Sequence, residues 1–163
     1  MPFAEPSAFR VEKLRIEAVI NLTNGARVTG DFFVAQASPT SFGQERVAEL
    51  LNSESGFVPF EVRESAGART AILNRDHIVT VAVQDHEARR VPGYDLATAR
   101  TVSLLMSDGR QILGSVRVYR PEGRDRLSDW SRHGERFRYI ESSDATFIVN
   151  VAHIVEAREV FER

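Results

Sequence analysis

Leu22-Thr23-Asn24-Gly25-Ala26-Arg27-Val28-Thr29-Gly30 and Leu105-Met106-Ser107-Asp108-Gly109-Arg110-Gln111-Ile112-Leu113-Gly114 are two versions of one pattern within a chain of 163 residues. In each, an apolar-polar stretch runs into a turn pair, Asn24-Gly25 or Asp108-Gly109, and a second stretch leaves it through another glycine. Asx-Gly between such stretches is a strong hairpin signal, because both residues accept the positive φ that the tight turn needs. Gly30 and Gly114 then fall in mid-strand, where a glycine predicts a bulge or a sharp bend.

Two further pairs follow in the same order. Arg46-Val47-Ala48-Glu49-Leu50, continuing to Phe57, matches Arg126-Leu127-Ser128-Asp129-Trp130, continuing to Phe137. Asn74-x-x-His77-Ile78-Val79 matches Asn150-x-x-His153-Ile154-Val155. The separation falls from 84 (Gly25 to Gly109) through 80 (Arg46 to Arg126) to 76 (His77 to His153). Both shortenings lie where loops are expected, which is where a duplicated domain tolerates deletion. The pattern predicts a tandem duplication: a first β repeat over 14–84, a linker over 85–99 broken at Pro92-Gly93, and a shorter second repeat over 100–163.

Within the first repeat, 16–23 and 26–35 read as a hairpin, 57–62 as a third strand, 70–74 as a fourth and 77–83 as a fifth. Pro59 places the third strand at an edge or a bulge. Between strands two and three the period changes. Val47, Leu50 and Leu51 share one helical face, and Ser41-x-x-Gln44 can act as a capping box for a helix over 43–52. In the second repeat, 101–106, 111–119, 137–141, 146–150 and 154–160 read as strands and 127–132 as the helix. The fold class is therefore mainly β: two tandem small β-barrel or half-barrel repeats, each with a short helix between strands two and three. Lateral association of the copies is expected, because the closing strands alternate regularly and can continue pairing.

Hydrophobic residues make up 42% of the chain and charged residues 27%, with a formal charge of −2. Nothing in that balance sets up a global field for nucleic acid or an anionic membrane. Lys13 is the only lysine. With no cysteine, disulfides, thiolate catalysis and cysteine zinc sites are excluded, and a cytoplasmic location is expected. No apolar run is long enough for a membrane span, and the N-terminal residues carry none of the length a signal peptide needs.

Leu22-x-Asn24-Gly25-x-x-Val28-x-Gly30, its counterpart Leu105-x-x-Asp108-Gly109-x-x-Ile112-x-Gly114, and the closing Ile72-Leu73-Asn74 with Ile78-Val79-x-Val81 resemble the Sm-like small β-barrels. The resemblance covers about half of each copy and implies an Sm/SH3-like barrel fold and RNA binding. Three departures accompany it. The helix interrupts strands two and three instead of preceding the first strand. The RNA-facing Asn of the third strand has no clear equivalent. The Arg-Gly of the family's last turn is replaced by Asn74-Arg75-Asp76-His77 and Asn150-Val151-Ala152-His153. The order R-V-x-E-L-L-N, F-V-P-F, L-N-x-x-H-I also resembles small bacterial domains from which no activity transfers.

Asn74, His77, Asn150 and His153 are repeat-equivalent polar positions. They read either as one ligand contact per copy or as tight turns whose side chains bond the backbone. Glu49 and Asp129, each beside Arg46 or Arg126, read as i, i+3 ion pairs or as a polar binding face. From Arg110 to Arg138 the arginines 110, 117, 120, 124, 126, 132, 136 and 138 outnumber the acids and interleave with Tyr119, Trp130, Phe137 and Tyr139. Arg with aromatics suits a protein interface or nucleic acid, and the interspersed acids favour the former. Arg126, Trp130, Arg132, Arg136, Arg138 and Tyr139 are thus the candidate interaction surface.

No GxSxG, P-loop, HExxH or GxGxxG motif is present. No catalytic residue, metal ligand or cofactor is expected. The sequence favours a non-catalytic interaction or assembly module, built as an intramolecular pseudo-dimer, whose partner is protein, either self or other. An RNA-binding Sm-like protein is the alternative, and an enzyme with a site between the repeats is more distant.

Overall fold

A computed structural model describes residues 13–119, 123, 125–132 and 134–161. Arg120, Glu122 and Arg124 of the basic interval, the N-terminal residues before Lys13 and the last two residues of the second repeat lie outside the described residues.

The chain runs β1 (Lys13–Leu22), β2 (Arg27–Ala35), α1 (Val47–Asn52), β3 (Phe57–Glu64), β4 (Gly67–Asn74), a 3-10 turn (Arg75–His77) and β5 (Ile78–Val83). A connection follows, with α2 (His86–Arg89) and a 3-10 turn (Tyr94–Leu96). The first order of elements then recurs: β6 (Thr98–Met106), β7 (Gln111–Val118), α3 (Leu127–Arg132), β8 (Phe137–Glu141), β9 (Thr146–Asn150), a 3-10 turn (Val151–His153) and β10 (Ile154–Glu159). The hairpin turns are where the sequence puts them, with Gly25 at φ 85° and Gly109 at φ 89°.

All ten strands form one antiparallel sheet in the order β10-β6-β7-β8-β9-β5-β1-β2-β3-β4. The halves join laterally, as β5 pairs β9 through Thr80↔Val149, Val81↔Ile148, Ala82↔Phe147 and Val83↔Thr146. The sheet is not closed, which corrects the expected barrel. The cause is local: β5 pairs β1 on one side and gives its other side to β9, so β4 is left as an outer strand. The core is continuous with that arrangement. One apolar cluster, around Ile20, Phe32, Phe60 and Leu51, takes in Phe137 and Ile148 from the second half. The other, around Leu104, Val116, Trp130 and Ile140, takes in Val79 from the first.

Helix α1 begins later than its sequence suggests. The Ser41-Gln44 box is not used, because Ser41 bonds back to Ser38 and the carboxylate of Glu49 takes the Arg46 N–H at 3.1 Å. Six residues are too few to hold a helix alone, and both ends are held from outside. At the N-terminus the fully buried Glu87 of α2 accepts the Val47 N–H at 3.1 Å. A carboxylate is favourable there, next to the unsatisfied N–H groups and the positive end of the helix dipole. At the C-terminus the buried guanidinium of Arg75 donates to the carbonyls of Leu50 (3.1 Å), Leu51 (3.0 Å) and Phe57 (2.6 Å). The segment expected to be a linker is thus a packed part of the structure. Tyr94 extends the contact, donating to Glu141 at 2.8 Å under the guanidinium of Arg117.

Pro59 sits in β3 just beyond the β2 ladder, which stops at Phe32↔Phe60. A residue without an N–H cannot prolong that ladder. Gly30 and Gly114 make no bulge; the β1–β2 and β6–β7 registers run straight through them. The bulges lie instead at Asn21/Leu22 against β5 and at Ile154/Glu156 against β6. The two glycines serve close approach. A Cβ on Gly30 would stand 1.9 Å from the Glu61 carbonyl oxygen, and one on Gly114 2.6 Å from that of Glu141. Backbone cannot yield as a flexible side chain can, so Gly30→Ala should cost at least about 2–3 kcal/mol. Gly114→Ala should cost less, and paired thermal or urea unfolding curves would give the order.

Candidate interaction surfaces

The residues singled out by sequence divide into two groups. Arg136, Asn150 and His153 meet at the junction between the halves. Asn150 is fully buried. Its Oδ1 accepts the Ala152 N–H at 3.1 Å, and Arg136 Nε donates to it at 3.3 Å. Its Nδ2 donates to the Ile78 carbonyl at 2.9 Å and to that of Arg75 at 3.3 Å. One amide therefore ties the turn after β9 to the turn before β5. Arg136 reaches on to Asp76 at 2.7 Å. His153 contacts the Asp76 carbonyl through Nε2 at 2.7 Å and the Ser107 hydroxyl through Nδ1 at 2.8 Å. A carbonyl only accepts, so Nε2 carries a proton.

The first-half counterparts make only the local part of this pattern. Asn74 Oδ1 accepts the Asp76 N–H at 2.9 Å, and His77 Nδ1 lies 2.7 Å from the Thr23 hydroxyl. His77 is exposed and Asn74 half-buried. The two equivalent sites thus differ in what lies beyond them: the first half beyond Asn150 and His153, no described residue beyond Asn74 and His77.

Trp130, Arg138 and Tyr139 do not form an exposed surface. Trp130 is buried, with the Arg138 guanidinium 4.9 Å from its ring and bonded to its carbonyl oxygen. Tyr139 donates to Glu87 at 2.9 Å. Burial, reinforced by the Glu87 carboxylate, pushes its pKa up, so the hydroxyl stays a donor. Arg126 and Arg132 are the exposed pair, Arg126 just before α3 and Arg132 at its end. Of the other arginines in the basic interval, Arg110 bonds Asp108 and, across the junction, the Thr80 hydroxyl, while Arg117 is held by Tyr94 and Glu141.

A cleft of about 540 Å³ opens between the halves, lined by Arg46, Glu49, Tyr94, Arg117, Trp130 and Arg138 among others. Two ion pairs line it, Arg46 at 3.1 Å from Glu49 and Arg117 at 3.8 Å from Glu141, and the Nε atoms of both arginines are buried without a hydrogen-bond partner among the described residues. Among the described residues no cluster of three or more His, Asp or Glu could hold a metal ion. No described helix is long and apolar enough to cross a membrane.

The outer strands make a third surface. Along β4 and around it, Phe57 and Ile72 are exposed; along β10, Val155 is exposed. Sequence reading gave these residues no role. Their signal was available in the repeat alignment, since Phe57 and Phe137 are matched anchors. No protein-family model, curated protein or solved structure matches the chain.

The asymmetry of the asparagines is measurable. Asn150→Ala strands buried carbonyl and N–H groups and should cost about 2–3 kcal/mol. Asn74→Ala removes one turn cap and should cost about 1 kcal/mol. Equal losses in chemical unfolding would contradict a junction role for Asn150.

Proposed function

We propose that this chain is a non-catalytic interaction or assembly module, in which two duplicated small β repeats of Sm/SH3-like type form an intramolecular pseudo-dimer and bind protein through the sheet's outer strands. The observation that carries the reading is the pair of edges: among the described residues β4 and β10 each have a strand on one side only. Unpaired N–H and C=O groups on an edge are a template for another strand. Natural proteins usually blunt such edges with charge or proline. Here β10 carries Glu156, Arg158 and Glu159, whereas the tip of β4 carries Ala71, Ile72 and Leu73.

A photo-crosslinking residue at position 72 of the full chain, expressed in its native host, tests this. Covalent adducts with protein, whether the same chain or another, are expected at position 72 and not at exposed Leu96. Recovery of the bare chain alone would overturn the reading.

RNA binding by an Sm-like surface is the second reading, supported by Arg126 and Arg132 standing exposed at the two ends of α3. Phosphate contacts make affinity fall steeply with salt. Retention of single-stranded RNA at low salt that is lost in the Arg126→Ala/Arg132→Ala chain would favour it; unchanged retention would remove it.

A further inference from the structure

Four side-chain polar atoms among the described residues are buried without a hydrogen-bond partner: Arg46 Nε, Glu87 Oε1, Arg90 Nη2 and Arg117 Nε. Two of them, Arg46 Nε and Arg117 Nε, belong to residues that line the cleft between the halves. Arg46 stands at the head of α1 in the first half and is 8% exposed. Its Nε lies 3.1 Å from a Glu49 oxygen as an ion pair but makes no hydrogen bond to it. Arg117 comes from β7 in the second half. A buried donor that has given up water without gaining an acceptor is costly, and a ligand that supplies the acceptor recovers that cost.

The carboxylates beside them are in the opposite condition. Glu49 accepts from the hydroxyls of Ser38 at 2.7 Å and Thr40 at 2.8 Å, and from the Arg46 backbone N–H at 3.1 Å. Glu141 takes the Tyr94 hydroxyl at 2.8 Å. Asp129 takes the Arg126 N–H at 3.0 Å, and Glu45 takes that of Ala35 at 3.0 Å. Tyr119, also in the lining, has its pKa pushed up to about 12, by burial above all, so its hydroxyl keeps its proton at neutral pH. What the cleft leaves open is therefore donors. A cation such as an ammonium brings only more donors. An anion meets five acids against three arginines in the lining, and the guanidiniums of Arg46 and Arg117 already stand beside Glu49 and Glu141. Like charges repel more strongly in such a partly dry site than in water. An uncharged molecule with an acceptor oxygen meets neither objection. The walls suit its remainder, since Ala88, Val91, Val118 and Trp130 are apolar. The volume of about 540 Å³ falls in the range of roughly 300–1,000 Å³ usual for small-molecule sites.

We infer that the cleft between the halves binds an uncharged small molecule, with an acceptor oxygen turned to the guanidiniums of Arg46 and Arg117 and an apolar body lying against Val91 and Trp130. Such a ligand touches α1, the connection and β7 together. It ties the halves to one another and stabilises the folded chain by mass action. The site goes beyond the interaction reading and does not rest on it.

Trp130 is the only tryptophan of the chain and lines the cleft, so its fluorescence reports occupancy without a label. Two neutral amides with a carbonyl oxygen and no N–H, N,N-dimethyloctanamide and N,N-dimethylhydrocinnamamide, are titrated into the full chain. Octanoate, octylammonium, hydrocinnamate and phenylpropylammonium supply the same bodies with a charge. At least one amide is expected to change Trp130 emission saturably and to raise the Tm, with a Kd about tenfold or more below those of its charged relatives. Arg117→Met removes donors while keeping an apolar stem, and should weaken the amide about tenfold. Val91→Phe keeps every polar group and narrows the cleft; it should abolish the response with an unchanged circular dichroism spectrum, and it carries the test where Arg117→Met fails to fold. No saturable response to either amide, which would mean water alone in the cleft, would overturn the site. So would equal affinity for a charged relative, or full affinity in folded Val91→Phe.

Discussion

Four residue pairs between β5 and β9 decide most of what this molecule is. Each half taken alone is near the size at which a single core is marginal. The ladder between them does more than add hydrogen bonds. It brings Phe137 and Ile148 into the first core and Val79 into the second. Neither cluster is complete without the other half, so the two halves should unfold as one cooperative unit. The same ladder determines the topology. Because β5 has only two sides, pairing with β9 is incompatible with closing onto β4, and an open sheet is the consequence.

The polar groups around the ladder follow from burial. Once the turn before β5 and the turn after β9 are pressed together, their carbonyls leave water and must be satisfied. Asn150 does this with one side chain, and Arg136 and His153 complete it. Around α1 the requirement is met by remote charges: a carboxylate from α2 at one end and the Arg75 guanidinium at the other. Arg75 has no counterpart in the second half, where Val151 stands in its place. The short helix α3 is held differently, by the burial of Trp130 and the Arg138 contact on its carbonyl. Two chemically distinct solutions thus support one arrangement of strands.

Much of the strand order was readable, for definite reasons. Gly25 and Gly109 turn the hairpins at positive φ, and the alternation of Val58, Phe60 and Val62 in β3 reports burial directly. The extents of α3, β8 and β9 follow from residues whose neighbours in sequence are also their neighbours in space. What was not readable depends on distant partners. The start of α1 is determined by Glu87, forty positions away. The role of Gly30 is determined by the carbonyl of Glu61. Trp130, Arg138 and Tyr139 look like an aromatic-basic surface in one dimension, yet the burial of Trp130 and the bonds of Arg138 and Tyr139 hold them along the cleft between the halves. Arg75 reads as an exposed turn residue, and nothing local marks it as the largest side chain among the fully buried ones.

The recurrence of one order of elements in the two halves has a geometric consequence. An isolated domain of this kind has two unlike edges, one at its fourth strand and one at its fifth. Joining two copies through one of each removes one pair and conserves the other. No arrangement of two copies that pairs unlike edges in an open sheet can remove both. Affinity at an edge is sensitive to substitution, whereas the register depends on the backbone and the alternation of side chains.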